Sequence, residues 1–193
     1  MFLFREPSDG IVRRFIEDQR GLPFSYGEVG ATRGDAPAGY LVDRYRVRLG
    51  GGEETFERAV AALRSWRMFD LGWTCLIPED ARIEEGVTVA ALARHLGFRS
   101  LNAARIVYLI EDSGSVERRG FAYGTLPGHA ARGEERFTVE WNRETGSVYY
   151  AVLAVSRPNH PFAWLGYPFV RRLQRRFARD SRSAMRAAVR SGS

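Results

Sequence analysis

From Ala104 to Ser156 the chain reads as strand after strand, with only short turn words between. "ARIVYLIED" sets adjacent β-branched residues before "DSGS". "RRGFAYGTL" runs through "PGHAARG" into "EERFTVEWN", and "RETG" leads into "SVYYAVLAVS". In "RFTVEW", Phe137, Val139 and Trp141 share one face, while Arg136, Thr138 and Glu140 share the other. Residues 148–155 are apolar on both faces, as a central strand covered on both sides must be. Strands joined by such short connections pair antiparallel, so this stretch constrains the chain to an antiparallel sheet.

A long helix follows, from about Trp164 to Arg190. With Phe169 at 0° and about 100° per residue, Phe169, Leu173, Ala184, Phe177, Val170 and Ala188 fall between roughly 0° and 100°, with Met185 near 160°. Arg171, Arg172, Arg175, Arg176, Arg179, Arg182, Arg186 and Arg190 all fall between about 200° and 340°. One face needs an apolar partner and the other is a stripe of guanidinium groups. A curved antiparallel sheet gripping this single helix is the economical arrangement, and it leaves a cavity between the two. The expected class is α+β.

The upstream part supplies fewer elements. "IVRRFIEDQR" predicts a short helix over 11–20, stopped by Gly21 and Pro23, and residues 27–39 read as loop. In "YLVDRYRVRLG", Val42, Arg44, Arg46 and Arg48 alternate with Leu41, Tyr45, Val47 and Leu49, nearly a strand face. "EETFERAVAALRSWRMF" brings Phe56, Ala59, Val60, Ala62 and Leu63 to helical spacing, with Thr55 as N-cap and half a capping box. "LGWTCLI" is a strand ending at Pro78, and "VTVAALARHLG" fits helix or strand. Residues 1–39 are expected to form an N-terminal extension of helix and loop, and residues 40–193 a single domain ending in the basic helix.

Charge is distributed unevenly. All 29 basic residues are Arg, and the net charge is +6. Nine Arg and one acid lie from Arg157 to Ser193, giving +8, while the rest of the chain carries −2. The single cysteine, Cys75, excludes an internal disulfide and sits in an apolar run as a buried thiol. No stretch approaches the ~20 apolar residues of a transmembrane helix, and the first residues turn acidic too soon for a signal peptide. A cytoplasmic protein is expected.

Several words resemble uncharacterised protein family 0548, a domain-of-unknown-function family: "FSYGEVGAT", "PAGY", "LGGGEETFERAVAALRSW", "NAARIVYLI", "GFAYGTLPGHAARGEERF", "AVSRPNHP" and "PFVRRLQRRFARDSRSAM". They span roughly residues 24 to 185. That resemblance implies no activity. The order of elements is also similar to the helix-grip fold of START and Bet v 1-like proteins. This second resemblance implies binding of hydrophobic small molecules between sheet and helix, and in some members cyclase or hydrolase chemistry.

The word from Gly120 to Phe137 concentrates candidate site residues. Read structurally, Pro127–Gly128 makes a type II turn, His129 faces solvent or braces the turn, and Glu134 and Glu135 point to opposite faces of a strand. Opposite faces exclude the paired-carboxylate chemistry of glycosidases and leave at most one of the two for the cavity. Read functionally, the inward Glu is a buried acid with Arg157 as partner, His129 is a general base, and Tyr123 offers a hydroxyl. Phe121, Trp141 and Tyr150 alternate along the strands as core residues that also line any open cavity.

No nucleophile motif, P-loop or dinucleotide fingerprint is present, so no cofactor is expected. His95, His129 and His160 are too far apart in sequence to suggest a metal site. The leading expectation is a binder of a hydrophobic or amphipathic small molecule in the sheet–helix cavity. The alternatives are an enzyme using the same cavity, or docking to nucleic acid, an anionic bilayer or an acidic partner through Arg171, Arg172, Arg175, Arg176, Arg179 and Arg182.

Overall fold

The structure is a computed structural model that describes residues 1–158 and 163–191. The strand-like runs all form strands of one sheet. After a two-residue strand β1 (Phe2–Leu3) and helix α1 (Asp9–Arg20) come β2 (Leu41–Gly51), α2 (Glu53–Arg64) and a 3-10 turn (Arg67–Phe69). Then follow β3 (Thr74–Ile77), β4 (Thr88–Arg94), β5 (Arg99–Asp112), β6 (Val116–Thr125), β7 (Ala131–Asn142), β8 (Ser147–Pro158) and α3 (Ala163–Ser191). The ambiguous "VTVAALARHLG" is a strand and a hairpin tip.

The strand order is β2-β8-β7-β6-β5-β4-β3, with β1 added to β5 and every pairing antiparallel. The sheet curls into a half-barrel around the C-terminal helix, the helix-grip arrangement expected from the element order. The inner face packs against α2, the 3-10 turn and α3. Its core holds Phe56, Val60, Trp66, Phe69, Phe121, Phe137, Val139, Tyr150 and Met185. On the outer face, Val12, Phe15 and Ile16 of α1 cover Ala90, Leu92, Leu101 and Ala103. Ala31 packs beside Leu153 and Val155, with Tyr40 and Val42 at the margin. Apart from β1, which joins the sheet, the segment before β2 is thus laid across its outside.

Local features explain how the chain enters and leaves α2. Gly52 precedes the helix at φ 83, a conformation that favours glycine, and Glu53 and Glu54 face the positive end of the helix dipole. Thr55 is therefore not the N-cap. It lies inside the first turn and its hydroxyl donates to Gly51 O at 2.8 Å. After the helix, Trp66 takes the left-handed region at φ 55, which is costly for a bulky residue. Its indole N–H donates to Ala81 O at 2.7 Å, and its ring stands edge-on to Phe121 at 4.9 Å. Both contacts hold the chain in the reversal that sends Phe69 into the core.

The helix α3 is rotated from the orientation expected of its sequence. Its buried line is Ala178, Ser181, Met185 and Val189. On the helical wheel this line lies roughly 100° from the centre of the expected apolar face. Leu173, Phe177, Ala184 and Ala188 are half-buried flanks, and the side chains of Phe169 and Val170 lie outside the described residues. Small residues at 178 and 181 let the helix approach Tyr150, whose hydroxyl lies 2.9 Å from Ser181 Oγ. Phe177 then lies against Phe69 at 5.1 Å instead of pointing at the sheet.

Candidate functional site

Glu134 and Glu135 are neighbours in β7 and serve different sides of the sheet. Glu134 is 2% exposed and faces outward. One of its carboxylate oxygens accepts from the Tyr26 hydroxyl and from Gly30 N–H, both at 2.8 Å. The other accepts from Thr32 N–H at 3.0 Å and from the Thr32 hydroxyl. The four donors all come from the strap that joins α1 to β2. A buried carboxylate surrounded by donors in this way is a structural anchor. Its charge also helps burial to raise the Tyr26 phenol far above its usual range.

Space for the strap is built into β6 and the turn after it. A Cβ at Gly124 would stand 2.2 Å from the Tyr26 hydroxyl, and one at Gly128 would stand 2.7 Å from the Phe15 ring. Gly128 does not take positive φ, so the expected type II turn is not what requires glycine there; the close approach of Phe15 is. Gly128 N–H donates to Gln19 Oε1 at 2.9 Å.

His129 sits in the same outer cluster. Its Nδ1 accepts from Ala131 N–H at 3.0 Å, and burial lowers the imidazole pKa to about 4. It is therefore neutral at pH 7. Arg157 is also on the outer side, its guanidinium 4.8 Å from the Tyr40 ring centroid. Strand alternation thus sets Arg157 on the opposite face of the sheet from Glu135 and Tyr123.

Glu135 faces inward. The cross-strand row Ile106–Tyr123–Glu135–Ala154–Asp43 runs over the inner face at one end of the aromatic core. The Tyr123 hydroxyl donates to Glu135 Oε2 at 2.8 Å, and no cation pairs with this carboxyl among the described residues. Burial raises its pKa to about 7, and Asp43 nearby adds to the effect, while the Tyr123 bond opposes them. Tyr123 itself is pushed well up, first by burial and then by Glu135. Glu135 is deeply placed on the inner face yet retains part of its accessible surface. At the end of the row, Asp43 receives both Arg171 nitrogens, Nη2 at 2.7 Å.

The other inward candidates are core. Phe121 and Tyr150 are fully buried and Trp141 nearly so, and Phe69 fills the space between Tyr123, Phe137 and Phe177. The structure therefore brings together Tyr123 and Glu135 from the expected polar set and separates them from Glu134, His129 and Arg157. The residues that complete the outer cluster, Tyr26, Thr32 and Tyr108, were not expected. The alternation of residues in β5 would put Tyr108 on the inner face with Ile106, but a bulge between Ile106 and Tyr108 turns it outward.

The arginine stripe is partly engaged by the protein itself. Arg171 pairs with Asp43, Arg179 with Asp180 at 2.9 Å, and Arg176 lies 4.3 Å over the Trp73 ring. Arg182 donates to Ala178 O at 2.9 Å and lies over Tyr45. Arg172 and Arg175 are exposed and make no ion pair among the described residues. No three His, Cys, Asp or Glu side chains come together among the described residues, and His160 lies outside them. No helix among them is long and apolar enough to cross a membrane.

Comparison with known proteins places this chain in a family. A family model described as Domain of unknown function (DUF1990) matches residues 25–184. A UPF0548 protein of Dictyostelium discoideum is 38% identical over 208 aligned residues, covering 98% of this chain and 96% of that one. A UPF0548 protein of Deinococcus radiodurans is 39% identical over 201, covering 97% and 99%. Among solved structures, Ara h 8.0201 is similar at TM-score 0.49 and 11% identity, covering 79% of this chain and 99% of that one. Human STARD10 is similar at TM-score 0.43 and 12% identity, covering 95% and 81%. A model match over most of the length, and such identity across nearly whole chains, make this chain a member of the UPF0548 family that carries the Domain of unknown function (DUF1990) over residues 25–184.

Proposed function

We propose that the protein binds an amphipathic small molecule between the sheet and α3, in the cytoplasm, with Glu135 and Tyr123 holding the polar end of the ligand. The observation that carries this reading is the Glu135 carboxyl: deep on the inner face, bonded to one hydroxyl, without a cation among the described residues, and still in part accessible. A carboxyl in that position is incompletely satisfied by the protein and gains from a polar group arriving from outside. Near neutral pH it is available both as a donor and as an acceptor. Of the aromatic cluster of Phe69, Tyr123 and Phe177, Phe177 is only half-buried and offers its ring to an apolar body.

Acid–base catalysis by a Glu/His/Tyr/Arg cluster finds less support, because His129 and Arg157 lie on the other side of the sheet. The test is native mass spectrometry of the protein purified from its own host, alongside Glu135→Ala and Tyr123→Phe. A bound small molecule in the wild type that is lost from Glu135→Ala is the expected result. A ligand-free mass, together with no saturable binding of dansyl-undecanoic acid, would refute the reading.

A further inference from the structure

The outer face has its own recess, and two of the family words meet at it. Between the strap and the β5–β6 hairpin lies a groove of about 630 Å³ whose lining includes Arg33, Tyr108, Arg118, Arg136, Thr138 and Glu140. Its volume lies within the range of about 300–1,000 Å³ that small-molecule sites occupy. Glu134 fixes the strap by Gly30 and Thr32, and this sets the position of Arg33 immediately after them. The Arg33 guanidinium lies 4.1 Å from the centroid of the Tyr108 ring. The Tyr108 hydroxyl is 2.7 Å from Thr32 Oγ1, and Arg136 Nη1 donates to Thr32 O at 2.7 Å. Both guanidinium groups are thereby held around one strap residue and one phenol.

Charge in the groove is polarised. The acids gather at one end: Glu140 pairs with Arg46 at 3.0 Å, Arg118 reaches Asp112 at 3.7 Å and Glu140 at 3.9 Å, and Glu111 lies beside them on the exposed rim. At the other end Arg33 and Arg136, held by the Tyr108 ring and Thr32 O, make no ion pair among the described residues. The nearby Glu134 is walled off under the strap, and its oxygens are taken by four donors. Two like charges set in one recess repel each other, and a dianion between them removes that cost. Guanidinium pairs bind phosphate in two-point geometry, and a phosphate monoester carries about two negative charges at pH 7.

We propose that this outer groove is a second binding site, for a small phosphate monoester with a hydroxyl-bearing body. Arg33 and Arg136 hold the phosphoryl group. The body extends over Thr138 toward Glu140 and Asp112, whose carboxylates accept from its hydroxyls. The site is independent of Glu135, on the opposite face of β7.

Calorimetric titration of the full chain with glycerophosphate, glycerate, glycerol and inorganic phosphate tests it. Glycerophosphate is expected to bind saturably, glycerate at least roughly tenfold more weakly for its single charge, and glycerol not at all. Arg33→Gln and Arg136→Gln should each weaken glycerophosphate roughly tenfold, and Arg172→Gln should leave it unchanged. Arg33 is exposed, so Arg33→Glu keeps the fold while reversing the charge, and it should abolish binding. No saturable binding of glycerophosphate overturns the proposal, as does binding that survives Arg33→Glu or is matched by glycerate. Binding of inorganic phosphate without the ester overturns the assignment of a hydroxyl-bearing body.

Discussion

Replacing Glu135 by Gln should stabilise the protein, and only above the acidic range. The carboxyl has an ordinary pKa of 4.5 and a folded value of about 7, raised mainly by burial. The folded state therefore holds a proton that the unfolded chain has released between those two values. Stability from this group is full below 4.5 and is lost as pH rises through about 7. At roughly 1.36 kcal/mol per pH unit, the interval from 4.5 to about 7 amounts to about 3 kcal/mol. His129 works in the opposite direction. Its folded value of about 4 against an ordinary 6.5 makes stability rise with pH across that interval. The wild-type curve alone therefore conceals both effects, and the difference between wild type and Glu135→Gln isolates one. Gln keeps the shape and can accept the Tyr123 bond. Urea unfolding followed by tryptophan fluorescence should give nearly equal stabilities at about pH 4.5 and a Glu135→Gln advantage of about 3 kcal/mol at about pH 8.5. In thermal melts the same gap is about 6–12 °C for a chain of this size. A difference that stays constant from acid to alkaline pH would refute the reasoning, because the carboxyl would then be ordinary.

Glu134→Ala should destabilise by about 3–5 kcal/mol in urea unfolding, since it strands buried donors from Tyr26, Gly30 and Thr32. Glu134→Gln should lose about 1–3 kcal/mol, because its amide group meets one backbone N–H that cannot turn away. Gly124→Ala puts a methyl 2.2 Å from the Tyr26 hydroxyl and should cost about 1–3 kcal/mol, read as faster hydrogen exchange or proteolysis across residues 27–39. If the arginine helix docks on anionic surfaces, Arg172→Glu with Arg175→Glu should lower the salt at which the protein leaves heparin, with the melting temperature unchanged. Asp43→Ala should lower the melting temperature instead, because Arg171 is then left half-buried without its carboxylate.

Periodicity made the strands legible. The alternation that sets Phe137, Val139 and Trp141 apart from Arg136 and Thr138 is the alternation of the two sheet faces, and it divides Glu134 from Glu135. The wheel was a poorer guide to α3. It weighs hydrophobicity alone, whereas the helix settles on its small residues because Tyr150 and Phe69 already fill the space beneath. Tyr108 was out of reach for a different reason: one extra residue in β5 reverses its face, and no local residue type announces the bulge. The strap was also hidden. Tyr26 and Thr32 meet Glu134 across more than a hundred residues, and a loop composition says nothing about where a loop is fastened. Glycine carried the available signal, since Gly124 and Gly128 are the cut-outs that the strap and α1 require.

The docking of the first forty residues has a consequence for synthesis on the ribosome. Tyr26 and its acceptor Glu134 are 108 residues apart, and β2 pairs with β8, the last strand to be made. At about 5–20 residues per second, Phe15, Phe24 and Tyr26 wait on the order of five to twenty seconds for their cut-outs to be translated. During that interval an amphipathic helix and an unpaired strand stand exposed in the nascent chain. The segment made first waits for partners made a hundred residues later, and the yield of native protein depends on what shelters it meanwhile.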